Sequence, residues 1–133
     1  MKKRVLAIDD DEDILNILDI ILQDEGIEGS LFSTGIPVQQ IIDLKPDLIL
    51  LDVRIGGYIK TGSQICGEIK QLKNTQKIPV VLVSAEANLA MIAAKCEADG
   101  FISKPFDIFN FVEKVKEFLS SENFKHERKD ELP

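Results

Sequence analysis

The sequence predicts an α/β fold, a doubly wound sheet of five parallel strands with helices on both faces. Apolar runs of strand length alternate with helix-length amphipathic segments along the chain. The strongest runs are continuous rather than alternating, as parallel strands covered on both faces require. At or just beyond the end of four of them stands a side chain able to do chemistry: Asp9-Asp10, Asp52, Ser84 and Lys104. Right-handed crossovers between such strands place helices on either side of the sheet.

Val5–Ile8 is the first run and ends at Asp9-Asp10. Ile14, Ile17, Leu18, Ile21 and Leu22 then recur at helical spacing and stop at Gly26. Ile27–Phe32 contains Glu28, Gly29 and Ser30, which suits an edge strand. Val38–Leu44 reads as a helix that cannot easily continue into Pro46. Leu48–Leu51, bounded by Pro46 and Asp52, is the third strand, and Ser63–Leu72 the next helix. Pro79–Val83 leads to Ser84, Asn88–Ala98 is helical, and Phe101-Ile102 precedes Ser103-Lys104-Pro105. In Asp107–Ser120 the residues Ile108, Phe111, Val112, Val115, Phe118 and Leu119 form one stripe, with Asp107 as N-cap. From about Ser121 the periodicity is lost and Glu and Lys dominate. The domain is therefore expected over 1–120, with 121–133 a polar, solvated or frayed tail.

At 133 residues the chain suffices for one domain with its own core, without disulfides or structural metal. A net charge of −7 and the lack of a basic stripe argue against direct nucleic acid binding. No run is long enough to cross a bilayer, and the basic start leads into Asp9-Asp10-Asp11 rather than an apolar signal segment. A cytoplasmic protein with no membrane association is the expectation. Cys66 and Cys96 have no Cys-x-x-Cys pairing and read as buried small hydrophobes. The single histidine, His126, lies in the polar tail, which excludes a histidine-based catalytic or zinc site. Lys129-Asp130-Glu131-Leu132 resembles a retention signal, but Pro133 follows it and the match is coincidental.

In open parallel sheets ligands bind beyond the carboxyl ends of the strands, so these distant residues should converge. Taken singly, each reads as a cap, a turn residue or a solvated charge; the joint placement is what points to a site. Asp9, Asp10 and Asp52 repel one another and invite a hard cation with oxygen ligands, Mg²⁺. Lys104 supplies only one positive charge against three negative, and a divalent cation closes the balance. Asp52 is then placed to attack phosphorus as a carboxylate nucleophile. The cation and Lys104 would neutralise charge on the transferred oxygens, while the Ser84 hydroxyl donates a further hydrogen bond. A calcium loop over Asp9–Asp13 is excluded because Ile14 stands where its turn glycine belongs.

Four segments carry a family resemblance: Ala7-Ile8-Asp9-Asp10, Asp47-Leu48-Ile49-Leu50-Leu51-Asp52, Val81-Leu82-Val83-Ser84-Ala85 and Phe101-Ile102-Ser103-Lys104-Pro105-Phe106. Over about Lys3 to Ser120 the chain resembles the receiver domain of two-component response regulators. The resemblance implies a flavodoxin-like sheet in the order 2-1-3-4-5 and a phosphorylation-dependent signalling switch rather than a conventional enzyme. It implies Asp52 as phosphoacceptor, with Mg²⁺ held by Asp52, Asp10 and the Arg54 main-chain carbonyl and with Asp9 assisting through water. Ser84 and Phe101 would form the switch pair, and Lys104 would contact the phosphoryl group. The donor would be a histidine kinase or a histidine phosphotransfer protein. An unidentified output partner would use the face of the fourth helix, fifth strand and fifth helix. The family also implies a cis peptide at Lys104-Pro105. In the family the side chains two positions after the acceptor and two after the switch hydroxyl flank the phosphoryl group. Here these are Arg54 and Glu86, oppositely charged, which either pair across the mouth of the site and tune the phosphoryl lifetime or extend into solvent. Leu15 and Ile20 lie off the stripe of the first helix, which implies either burial over a wide arc or a docking patch for the phosphodonor.

Two departures stand out. The loop after Asp52 runs Val53 to Gly62, two residues longer than the family pattern, with glycines where a proline is expected. A mobile loop is the expectation, since glycine widens the accessible backbone. Ser84 replaces the commoner threonine and lacks the β-branch that restricts its rotamer. Two rival readings share part of the pattern. A haloacid-dehalogenase-like phosphatase would use Asp9-x-Asp11, Ser84 and Lys104, but it needs a late acidic pair that is missing here and leaves Asp52 without a role. A receiver-like interaction module that takes no phosphate conflicts with the complete acidic, hydroxyl and lysine set. No output domain is recognisable in the sequence, which leaves open a stand-alone regulator or a fragment.

Overall fold

The computed structural model describes the backbone of residues 2–131 and the side chains of residues 2–120. Five strands, β1 (Arg4–Ile8), β2 (Glu28–Phe32), β3 (Leu48–Leu51), β4 (Val80–Ser84) and β5 (Gly100–Ser103), alternate with five helices. The helices are α1 (Glu12–Asp24), α2 (Val38–Leu44), α3 (Gly62–Gln71), α4 (Leu89–Lys95) and α5 (Ile108–Glu131). All strand pairs are parallel, in the order β2-β1-β3-β4-β5.

Composition explains this order. The central strands β3 and β4 are buried along their whole length, whereas β2 is exposed or half-buried throughout and sits on the edge. Because neighbouring residues in a strand face opposite sides, each run feeds two cores. Leu6, Ile8, Ile49, Leu51, Val80 and Leu82 pack beneath α2, α3 and α4, on Ile41, Ile65, Ile69 and Leu89. Val5, Ala7, Leu48, Leu50, Val81 and Val83 pack beneath α1 and α5, on Leu18, Leu22, Phe111 and Val115. Burying each large aliphatic side chain contributes about 1.5–3 kcal/mol, so both layers hold the sheet strongly.

Local signals set the helix ends. Asp11 caps α1 by accepting from Asp13 N at 2.9 Å. Thr61 and Gln64 form a reciprocal capping box at the start of α3. Asp107 accepts from Asn110 N at 3.4 Å, as an N-cap at the start of α5 would. Helix α4 stops at Lys95, short of the expected Ala98, because Glu97 takes a left-handed conformation with φ 63°. Helix α5 continues to Glu131 instead of ending at Ser120. The Glu- and Lys-rich stretch lacks an apolar stripe, but those residues are good helix formers, so composition alone did not mark a stop. The side chains of the expected tail, His126 among them, lie outside the described residues, as do Leu132 and Pro133 of the coincidental retention signal.

On α1, Leu15 is buried and belongs to the core, so this helix is indeed covered over a wide arc. Ile17 and Ile20 are the apolar residues it leaves exposed. Cys66 is buried, Cys96 is half-buried, and both are free thiols. Burial in apolar surroundings pushes the Cys66 thiol far up, which fits a packing role.

Candidate functional site

The parallel ladders continue past the strands and bring their ends level. Asp9 N donates to Phe32 O at 3.1 Å, Asp52 N to Ile8 O at 2.9 Å, and Lys104 N to Ser84 O at 2.9 Å. The peptide between Lys104 and Pro105 is cis. Asp9, Asp52 and Ser84 are consequently buried at one edge of the sheet, with Asp10 exposed beside them. A cleft of about 270 Å³ opens between Asp10, Asp52, Arg54, Ser84, Glu86 and Lys104.

The Lys104 ammonium is the hub. Its Nζ lies 2.7 Å from Asp9 Oδ2 and 3.1 Å from Asp52 Oδ2, donating to both. Asp9 Oδ1 accepts from Asp11 N at 2.9 Å, and Asp10 Oδ2 accepts from Gly56 N at 2.9 Å. One carboxylate oxygen each from Asp9, Asp10 and Asp52 lies within 4.8 Å of the others. That donor set, all hard oxygen and all acidic, fits Mg²⁺.

The electrostatics follow from this crowding. Burial is the largest influence on Asp9 and pushes its carboxyl above the ordinary range; the nearby Asp52 charge adds to that, and the bonds from Lys104 and Asp11 only partly offset it. For Lys104, burial pulls the amine down, but its bonds to Asp9 and Asp52 outweigh it and the net shift is upward. One ammonium thus serves two carboxylates without satisfying the whole cluster.

At the mouth, Arg54 Nε donates to Glu86 Oε1, with the arginine largely exposed and Glu86 mostly covered. The bond to Glu86 also raises the Arg54 guanidinium. Ser84 Oγ accepts from Glu86 N at 3.4 Å. Phe101 pairs in register with Leu82, so it shares a sheet face with Leu82 and Ser84. Phe101 is 37 % exposed. The structure therefore gathers Asp9, Asp10, Asp52, Arg54, Ser84, Glu86 and Lys104 at one cleft, with Phe101 two residues back along β5.

Sequence reasoning missed how the Val53–Gly62 loop is held. In place of the expected mobile loop, Val53 and Ile55 are buried, Gly62 N donates to Val53 O at 2.7 Å, and Lys60 pairs with Glu68 at 2.8 Å. A Cβ on Gly62 would lie 1.8 Å from the Asp52 carbonyl oxygen, so glycine lets α3 begin against the acceptor's own backbone. The Gly56-Gly57 pair was the visible signal, but glycine alone does not say which carboxylate its amide will meet.

Known proteins place this site in a family. A family model described as the response regulator receiver domain matches residues 5–116. The DNA-binding response regulator MtrA of Mycobacterium tuberculosis is 29% identical over 136 residues, covering 100% of this chain and 54% of that protein. The DNA-binding dual master transcriptional regulator RpaA of Synechocystis is 31% identical over 122 residues, covering 87% of this chain and 48% of that protein. This chain thus spans about half the length of these curated relatives. A CheY-like receiver domain protein from Methanospirillum hungatei superposes with a TM-score of 0.84 at 26% identity, covering 94% of this chain and 99% of that one. NtrX from Brucella abortus gives a TM-score of 0.85 at 30% identity, covering 98% of this chain and 30% of that one.

The buried, net-penalised Asp9 carboxylate generates one prediction. In metal-free protein, Asp9→Asn should raise the urea midpoint without changing the slope, because it removes a charge whose burial is only partly offset. A lowered midpoint would contradict this electrostatic reading. With its flavodoxin-like sheet in the order 2-1-3-4-5, its cluster of strand-end carboxylates and the match over residues 5–116, the chain belongs to the response regulator receiver domain family.

Proposed function

We propose that this chain is a phosphorylation-dependent signalling switch that accepts a phosphoryl group on Asp52. The observation that carries the reading is the Lys104 ammonium, held within hydrogen-bond reach of both Asp9 and Asp52 beside a third carboxylate. Asp9, Asp10, Asp52 and the Arg54 carbonyl would hold Mg²⁺, with Asp9 acting through water. The cation would supply charge neutralisation on the transferred oxygens.

The reaction divides among the chain's own residues. A carboxylate oxygen of Asp52 attacks the phosphorus of a phosphohistidine; the O–P bond forms as the P–N bond breaks, and the bonding pair returns to the donor's imidazole. Lys104 turns one of its donors from the carboxylates to a phosphoryl oxygen. The Ser84 hydroxyl donates to another and shifts in concert with the Phe101 ring. The donor is a histidine kinase or a histidine phosphotransfer protein, and exposed Ile20 on α1 is the remaining candidate for its docking. Exposed Met91, Phe101, Ile108 and Phe109 support an output partner on the α4-β5-α5 face. No helix among the described residues is long and apolar enough to cross a membrane. A haloacid-dehalogenase-like phosphatase finds no support: Asp11 is turned to capping α1, while Asp52 stands in the site.

The test is incubation with Mg²⁺ and acetyl phosphate, followed by mass spectrometric localisation of any alkali-labile phosphoryl group. Labelling at Asp52 is expected, and Asp52→Asn should abolish it while retaining the far-UV circular dichroism of the fold. Undiminished labelling of the Asn variant at the same site would overturn the assignment.

The Arg54–Glu86 pair sets a second expectation, that it screens the phosphoryl group from attacking water. Autodephosphorylation should quicken in Arg54→Ala and in Glu86→Ala, with little further gain in the double variant. Unchanged rates in all three would remove the pair from any role in timing.

A further inference from the structure

The loop after Asp52 departs furthest from the receiver pattern, and it reaches the cleft through Gly56. Ile55 to Tyr58 close a turn in which Tyr58 N donates to Ile55 O at 3.2 Å, and Gly57, its third residue, has φ 77°. A positive φ at the third position alone marks a type II turn, and glycine adopts it without strain. The N–H of the second residue in such a turn has no partner within the turn. Here that residue is Gly56, and its N–H donates to Asp10 Oδ2 at 2.9 Å.

The turn is anchored on both sides of this amide. Ile55 is buried in the core beneath α2 and α3. The Tyr58 ring lies so close over Gly35 that a Cβ on that glycine would be 2.2 Å from it. A Cβ on Gly56 would itself stand 2.9 Å from Asp10 Oδ2, so the glycine is also what lets the amide approach. Asp10 is exposed, and among the described residues Gly56 N is the one hydrogen-bond donor shown for its carboxylate.

We propose that the Gly56 main-chain N–H is a positioning group for the metal site, holding one oxygen of Asp10 so that the other faces the cation. The inference rests on the cation reading of the proposed function. An exposed carboxylate must give up rotamer freedom to bind a metal, and a fixed donor on its far oxygen removes part of that loss beforehand. Outer-sphere partners of this kind typically change metal affinity about 10–100-fold. Where the receiver pattern carries a proline, which has no N–H, these glycines supply a donor instead.

Proline suits the second position of a type II turn, so Gly56→Pro deletes the donor while favouring the same turn. The measurement is Mg²⁺ affinity by titration calorimetry, without phosphodonor, for the wild type, Gly56→Ala, Gly56→Pro, Asp10→Ala and the Gly56→Pro, Asp10→Ala double variant. Gly56→Pro should weaken binding about 10-fold or more beyond Gly56→Ala, which brings the same Cβ beside Asp10 but keeps the N–H. It should add nothing on the Asp10→Ala background, and an equal loss in Gly56→Ala overturns the proposal. Unchanged or tighter binding by folded Gly56→Pro overturns the proposal. Should that variant not fold, amide hydrogen exchange at Gly56 decides: protection in the wild type that is lost in Asp10→Ala supports the contact, and equal rates overturn it. A wild type that binds no Mg²⁺ at all overturns the cation reading along with this proposal, whereas failure of the Gly56 arms alone leaves that reading standing.

Discussion

The rest of the structure answers to one constraint: three carboxylates must be held at the ends of adjacent strands with a single ammonium among them. Like charges at such separations repel strongly wherever water is excluded. Asp9 and Asp52 nevertheless sit buried beside each other, because Asp52 N donates to Ile8 O and locks β3 to β1 in register. The stabilisation for this comes from elsewhere, from the two apolar layers that bury β1, β3 and β4 on both faces. Lys104 relieves the cluster only in part, which leaves the cleft electrostatically incomplete.

That incompleteness is also what a switch needs. Lys104 is shared between Asp9 and Asp52, so under the proposed function charge on Asp52 would redistribute donors the protein already has. Ser84, buried and bonded only weakly to Glu86 N at 3.4 Å, is free to change partner at little cost. Phe101 lies on the same sheet face as Ser84 and is partly exposed.

Much of this was legible in the sequence, for identifiable reasons. Leu48–Leu51 and Val80–Ser84 read as central strands because nothing polar interrupts them until the functional residue itself. Glu28 and Gly29 marked the edge strand correctly. The convergence of Asp9, Asp10, Asp52, Ser84 and Lys104 followed from a general property of parallel sheets, whereas the pairing of Arg54 with Glu86 was one of two outcomes their opposite charges allowed. What escaped was tertiary. Ile17 belongs to the stripe of α1 and is nonetheless exposed, while Leu15 off the stripe is core, as burial over a wide arc allows. Helix propensity in α5 carries past the apolar stripe that ends at Leu119. The loop's glycines read as freedom, whereas Ile55 and Tyr58 pin them in one turn whose amide reaches Asp10.

The proposal that the strand-end cluster is a cation site presenting Asp52 to phosphorus has two halves, and diffraction can test both together. Crystals grown with Mn²⁺ and beryllofluoride, measured at the manganese edge, should show one anomalous peak within coordination distance of the Asp10 and Asp52 carboxylates. Beryllofluoride should be bonded to Asp52, with the Lys104 amine turned toward a fluorine. A peak elsewhere, or beryllofluoride on another residue with the cluster vacant, would contradict it.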